Sequence, residues 1–137
     1  MIDPTDHQIT ASGDTALVIE FGDRIDRNLS DRVLNANTVI RRARLTGIVE
    51  LVPTFRSLMV HYNPLTITAS DLISKLIPLI DVDSEHAREA RHWELPVCYE
   101  GDKAPDLIDI AQRTGLTQDM VVNTHISQLY HVYMIGF

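Results

Sequence analysis

Hydrophobic positions near the start of the chain follow first a two-residue repeat and then a helical repeat. Leu17 and Ile19 alternate with residues of the opposite face, which predicts a strand over residues 15–21. Apolar side chains then recur at steps of four and three, which predicts a helix that begins after Asp26 and ends at Gly47. The apolar stripe of this helix is Leu29, Val33, Ala36, Ile40 and Ala43. A stripe of this width is typical of a helix that lies on a sheet.

A second pair of strands and a second helix are predicted next. Ile48–Val52 and Leu58–Tyr62 are rich in β-branched and aromatic residues, and the short connection between them favours antiparallel pairing. Thr68 and Asp71 have the spacing of a capping box, so a helix is expected to begin there. Pro78 lacks a backbone donor and clashes with the preceding turn, so this helix is expected to stop or kink just before it.

Residues 81–92 are nearly all polar or charged and are predicted to be a linker. Beyond them, alternating apolar residues predict strands at Trp93–Tyr99 and Tyr130–Ile135. Between these strands, one short helix is expected to end at Gly115 and another to be capped by Thr117.

The order of elements predicts an α+β fold of the split βαβ sandwich type, with an antiparallel-rich sheet and helices on one face. Residues 1–80 are expected to form this N-terminal domain, because each segment there has the period of its predicted element. Its predicted core consists of Leu17, Phe21, Val33, Ile40, Leu58, Val60 and Leu76.

Composition narrows the function classes. The 137 residues are 45% hydrophobic and 23% charged, which suits a packed domain. The net charge of −7 disfavours nucleic acid and anionic membranes, and no segment approaches the roughly 20 apolar residues that cross a bilayer. Cys98 is the single cysteine, so an internal disulfide is excluded and a reducing cytoplasm is expected.

Known catalytic and nucleotide motifs are missing from the sequence. The six glycines are isolated, so there is no phosphate-binding loop, and no metal site is expected from the histidine spacing. Residues 110–122 imitate a helix-turn-helix, but the second helix offers few basic or amide side chains for DNA. His125 and His131 flank Tyr130 and Tyr133, an arrangement that fits either a substrate pocket or a satisfied polar network in a core.

Several segments together resemble one bacterial family. They are Gly13-Asp14 with Ala16–Gly22, then Val52–Leu58, Leu95–Tyr99, Pro105–Leu107, His125 and Tyr130–Phe137. In this order they are similar to the B component of bacterial 5-oxoprolinase, one of the subunits of that enzyme. The family is also named allophanate hydrolase subunit 1 and sporulation kinase A inhibitor. The resemblance covers the whole chain and fits the N-terminal portion of a family member.

The resemblance implies a second domain and an activity that depends on partners. Residues 93–137 are then the incomplete beginning of a cyclophilin-like β-barrel, whose unpaired strands are expected to pack back or to form a homodimer. The parent would be a non-autonomous subunit of an ATP-dependent amidohydrolase that converts 5-oxoproline to glutamate together with an A and a C component. ATP is implied for the full complex, whereas this chain alone is expected to bind no cofactor and to be inactive.

The resemblance also implies candidate site residues. His125 is the candidate catalytic residue, and Tyr133, Gly136 and Phe137 are candidate substrate-binding residues. Two alternatives stay open: an allophanate hydrolase subunit, and an interaction module that inhibits a histidine kinase.

Overall fold

A computed structural model describes residues 7–80 and 91–134 of the chain, and these residues belong to two units. The described residues of the first unit are 7–80 and 133–134, and this unit contains a four-stranded antiparallel sheet. Its elements are β1 (Gln8–Ala11), β2 (Ala16–Glu20), α1 (Arg27–Ala43), β3 (Ile48–Pro53), β4 (Ser57–Tyr62) and α2 (Ala69–Ile80). The α+β class predicted from the sequence is therefore confirmed.

The strands lie in the order β1-β2-β4-β3, and each neighbouring pair is antiparallel. Because β4 lies between β2 and β3, those two strands run in the same direction and α1 connects them across β4. The predicted hairpin of β3 and β4 is confirmed, with a register shift between Ile48 and Glu50. This topology makes β2 and β4 the two central strands.

The core lies between one face of the sheet and the two helices. Leu17 pairs with Val60 and Ile19 with Leu58, so that these four side chains share a face. All four are buried in one cluster with the apolar sides of α1 and α2. The helix residues of that cluster are Leu29, Val33, Ala36, Ile40, Leu72, Leu76 and Ile80. Every residue of the predicted core is buried, so that prediction is confirmed.

Side-chain caps begin both helices where the sequence predicts them. The Asp26 carboxylate accepts hydrogen bonds from the backbone N–H groups of Asn28, at 2.8 Å, and Leu29, at 3.4 Å. The Thr68 hydroxyl donates to the Asp71 carboxylate at 2.8 Å and accepts from the Asp71 N–H at 3.1 Å. These bonds satisfy N–H groups that have no partner inside the helix.

Pro78 lies inside α2, which continues to Ile80. Of the predicted stop or kink, the stop is therefore wrong, and the kink stays a prediction. A proline near the end of a helix removes one hydrogen bond, here the one that the Ser74 carbonyl would accept. Leu76 and Ile80 are buried in the core on either side of it. Their packing holds the last turn against the loss of that bond.

The sequence predicted that α1 ends at Gly47, and this prediction is wrong. The helix ends at Ala43, and Arg44 is its C-cap in the left-handed conformation, with φ 47°. Gly47 instead has φ 97° and lies against Ile67, where an added Cβ would be 2.4 Å from Cγ2. The glycine is required by this close approach at the start of β3.

Strand β1 was missed because its four residues are too few to establish an alternating pattern. Of its four residues only Ile9 is half-buried, and Ile9 pairs with Ile19 of β2. An edge strand can be mostly polar, since one neighbour is enough to pair its backbone.

The two strands predicted at Trp93–Tyr99 and Tyr130–Ile135 are wrong for the residues that the structure describes. Positions 93–99 and 130–134 form no strand. Alternation indicates an apolar face, but a strand also needs a neighbour for its N–H and C=O groups, and residues 91–134 supply none. Most of the predicted linker, residues 81–90, lies outside the described residues, so the linker stays a prediction.

Leu58→Ala is expected to lower the free energy of unfolding by about 2–5 kcal/mol, because it leaves a cavity under the central strands. Leu58 is 0% exposed. The matched control is Leu65→Ala, since Leu65 is 96% exposed, and a change within about 0.5 kcal/mol is expected there. Urea unfolding followed by circular dichroism measures both; equal losses would contradict the position of β4 in the core.

Gly47→Ala is expected to destabilise the chain more than Gly13→Ala. Both glycines have positive φ, 97° and 64°, but an added Cβ at Gly13 meets nothing within 4 Å. Gly13→Ala, the control, should lower the free energy of unfolding by about 1–2 kcal/mol from backbone strain alone. Gly47→Ala adds the clash with Ile67. Chemical denaturation of both variants gives the comparison, and equal costs would show that Ile67 does not restrict this position.

Candidate functional site

Two short helices carry the candidate site in the second unit, which contains residues 91–132. These helices are α3 (Leu107–Thr114) and α4 (Gln118–Ile126). Gly115 ends α3 in the left-handed conformation, with φ 69°, as predicted. The Thr117 hydroxyl caps α4 by accepting from the Met120 N–H at 3.2 Å, also as predicted. The sequence between the helices thus sets the direction in which α4 leaves the turn.

His125 lies in the last turn of α4, between two tyrosine rings. The Tyr99 hydroxyl forms a hydrogen bond with Nδ1 of His125, and the two rings are nearly perpendicular at 83°, with centroids 5.8 Å apart. The Tyr130 ring lies on another side, with its centroid at 5.3 Å. Its hydroxyl donates to the backbone carbonyl of His125 at 3.1 Å. We call these three residues the Tyr99–His125–Tyr130 cluster.

The cluster leaves one imidazole nitrogen available. Tyr99 is half-buried, whereas His125 and Tyr130 are exposed, Tyr130 by 66%. Nδ1 is engaged by Tyr99, and within the described part of the chain Nε2 has no hydrogen-bond partner. An oriented, accessible imidazole nitrogen can donate a hydrogen bond to a carbonyl oxygen or transfer a proton.

The other predicted site residues are described less completely. Tyr133 is half-buried and belongs to no helix or strand, and Gly136 and Phe137 lie outside the described residues. Their predicted roles in substrate binding therefore stay predictions. Sequence reasoning missed Tyr99, which lies 26 residues before His125. The one available signal was that Tyr99 ends the Leu95–Tyr99 motif of the family resemblance.

Two other kinds of site, a metal site and a DNA-binding site, have little support in the described residues. In the ranges 7–80 and 91–134, no three His, Cys, Asp or Glu side chains come together as a metal site would require. α3, the turn at Gly115 and α4 follow one another in the order helix, turn, helix. The first turn of α4 carries Asp119, and its basic residue is His125 in the last turn. A recognition helix for DNA needs basic side chains toward the phosphates.

The structure also bears on membrane insertion. None of the described helices is both long and apolar enough to span a bilayer.

Thr117→Ala is expected to loosen α4, because the substitution removes the acceptor for the Met120 N–H. A lost N-cap costs about 0.5–2 kcal/mol, so amide hydrogen exchange along α4 should become faster. Thr117→Ser keeps the hydroxyl and should retain most of the protection. If exchange in α4 were the same in the alanine variant and the unchanged chain, Thr117 would not hold the helix that carries His125.

Comparison with known proteins places the chain in a family. Residues 7–137 match the family described as carboxyltransferase domain, subdomain C and D. The chain is 30% identical to the B component of 5-oxoprolinase from Bacillus subtilis, over 96% of the chain and 59% of that protein. It therefore spans a little over half the length of this relative.

Two solved structures are also similar. A crystal structure of an uncharacterised protein from Pyrococcus horikoshii is 35% identical, with a TM-score of 0.53, over 94% of this chain and 59% of that one. The crystal structure of TTHA0988 is 30% identical, with a TM-score of 0.71, over 88% of this chain and 23% of that one. The resemblance to the B component of 5-oxoprolinase is confirmed, and the chain belongs to the carboxyltransferase domain family of subdomains C and D.

Proposed function

We propose that the chain is the N-terminal portion of the B component of a bacterial ATP-dependent 5-oxoprolinase, which opens the ring of 5-oxoproline to give glutamate. The observation that carries this proposal is the 30% identity with the B component of that enzyme over 96% of the chain. Residues 93–137 would belong to the beginning of a cyclophilin-like domain, joined to the first domain by a linker at 81–92.

The reaction class fits the chemistry of the Tyr99–His125–Tyr130 cluster. Opening a cyclic amide requires a donor that polarises the carbonyl and a proton for the leaving nitrogen. We assign His125 as the catalytic residue because its ring is fixed at Nδ1 and accessible at Nε2. Tyr133, Gly136 and Phe137 are assigned to substrate binding and follow the cluster closely in sequence.

The described residues do not fit a triphosphate. Gly13, Gly101 and Gly115 each serve a separate turn with positive φ, whereas a phosphate-binding loop has its glycines within one short segment. The basic residues Arg41 and Arg42 lie in the last turn of α1, where cations face the negative end of the helix dipole. We therefore propose that ATP binds to another component of the complex and not to this chain.

Exposed apolar side chains support a need for partners. Trp93, Leu95, Val97, Leu129 and Val132 of the second unit are each more than half exposed. Exposed apolar side chains of this kind mark an interaction surface where they form a contiguous patch. We propose the C component of 5-oxoprolinase as the occupant and the A component as the third member of the complex. The cytoplasm is the proposed location, because the free thiol of Cys98 stays reduced there.

Activity measurements with the separate subunits test the proposal. The 137-residue chain alone is expected to show no 5-oxoproline-dependent release of phosphate. Together with the A and C components of a bacterial 5-oxoprolinase, it is expected to bind the C component and to produce release that the other two do not show without it. If the chain did not bind the C component and no mixture of the subunits released phosphate in response to 5-oxoproline, the assignment would be wrong. Release in response to allophanate would assign allophanate as the substrate instead.

A matched pair of histidine variants tests the role of His125. His125→Ala in the assembled complex is expected to lower the rate about 10²–10⁴-fold, as loss of a general acid or base does. His92→Ala is the control, since His92 is exposed and outside the cluster. Equal rates for the two variants would remove His125 from the catalytic machinery.

A further inference from the structure

The hydrogen bond between Tyr99 and His125 has a direction, and that direction decides what the free nitrogen of His125 offers. A neutral imidazole carries its proton on either Nδ1 or Nε2, and the partner of one nitrogen selects the tautomer. We infer that Tyr99 is a positioning residue that donates its hydroxyl proton to Nδ1 and so keeps the proton of His125 on Nε2.

The chemistry of the two groups favours this direction. A phenol is a good hydrogen-bond donor but a weak acceptor, because its oxygen lone pair is delocalised into the ring. An unprotonated imidazole nitrogen is a good acceptor, since its lone pair lies in the ring plane and outside the π system. Donation from Tyr99 to Nδ1 pairs the better donor with the better acceptor.

The rings around His125 fix its orientation as well as its tautomer. Tyr99 approaches edge-on at 83°, and the Tyr130 ring lies tilted at 49° on another side. The Tyr130 hydroxyl is anchored to the backbone carbonyl of His125 and not to its ring. Tyr99 therefore controls the ring proton, whereas Tyr130 supports the ring by contact alone.

The proton on Nε2 determines which kind of ligand His125 can bind. An N–H group at this position donates to an oxygen acceptor, so the group that it takes is a carbonyl or carboxylate oxygen and not a proton donor. That this oxygen belongs to a cyclic amide rests on the proposed function. The tautomer itself does not depend on any substrate.

Long-range ¹H–¹⁵N correlation spectra of the 137-residue chain, with labelled histidine, test the inference directly. The spectra are recorded at about pH 8.5, where a histidine side chain is ordinarily neutral. His125 is expected to show its proton on Nε2 and an acceptor signal at Nδ1. In Tyr99→Phe the ratio of the tautomers should shift toward Nδ1–H by about two- to tenfold, which corresponds to the net value of one hydrogen bond.

Tyr130→Phe is the matched control, because it removes a hydroxyl from the same cluster without touching the ring nitrogens. Its tautomer ratio should equal that of the unchanged chain, with α3 and α4 intact in the amide spectrum. An Nδ1–H tautomer in the unchanged chain would overturn the inference without any variant, and so would an unchanged ratio in Tyr99→Phe or an equal shift in Tyr130→Phe. Because no substrate is present, a failure of the proposed enzymatic function would leave this result unaffected.

Discussion

Backbone hydrogen bonding is the constraint on which the architecture of this chain depends. A strand is stable only when a neighbour takes up its N–H and C=O groups. β2 and β4 have neighbours on both sides, and they carry the most deeply buried side chains of the sheet. The apolar sides of both helices form one buried cluster with side chains of these two strands and with Leu51 of β3.

Periodicity and local hydrogen-bonding chemistry were enough to predict most of the first unit. Ile19 and Val33 lie where their two- and four-residue spacings put them, and Asp26 and Thr68 cap the helices that they precede. Features that depend on residues far away in the sequence could not be predicted. Gly47 is required by Ile67, twenty positions later, and β1 is a strand because β2 is beside it.

The candidate site shows the same limit more sharply. His125 was found through a family resemblance, and a single histidine near the end of a short helix has no pattern that marks it as functional. Its partner Tyr99 lies in a segment of alternating apolar residues that was expected to form a strand. Alternation describes one face of a segment, but the contact with His125 depends on how residues 26 positions apart meet. Only coordinates provide that information.

The outer strands of the sheet have a consequence for the behaviour of the protein in concentrated solution. β1 has four residues, and β3 contains the register shift between Ile48 and Glu50 and ends at Pro53, which has no N–H to donate. Short, irregular and proline-terminated edges are poor templates for a strand from another molecule. Growth of the sheet by strand addition, the step that begins amyloid-like aggregation, is therefore disfavoured at both of its sides.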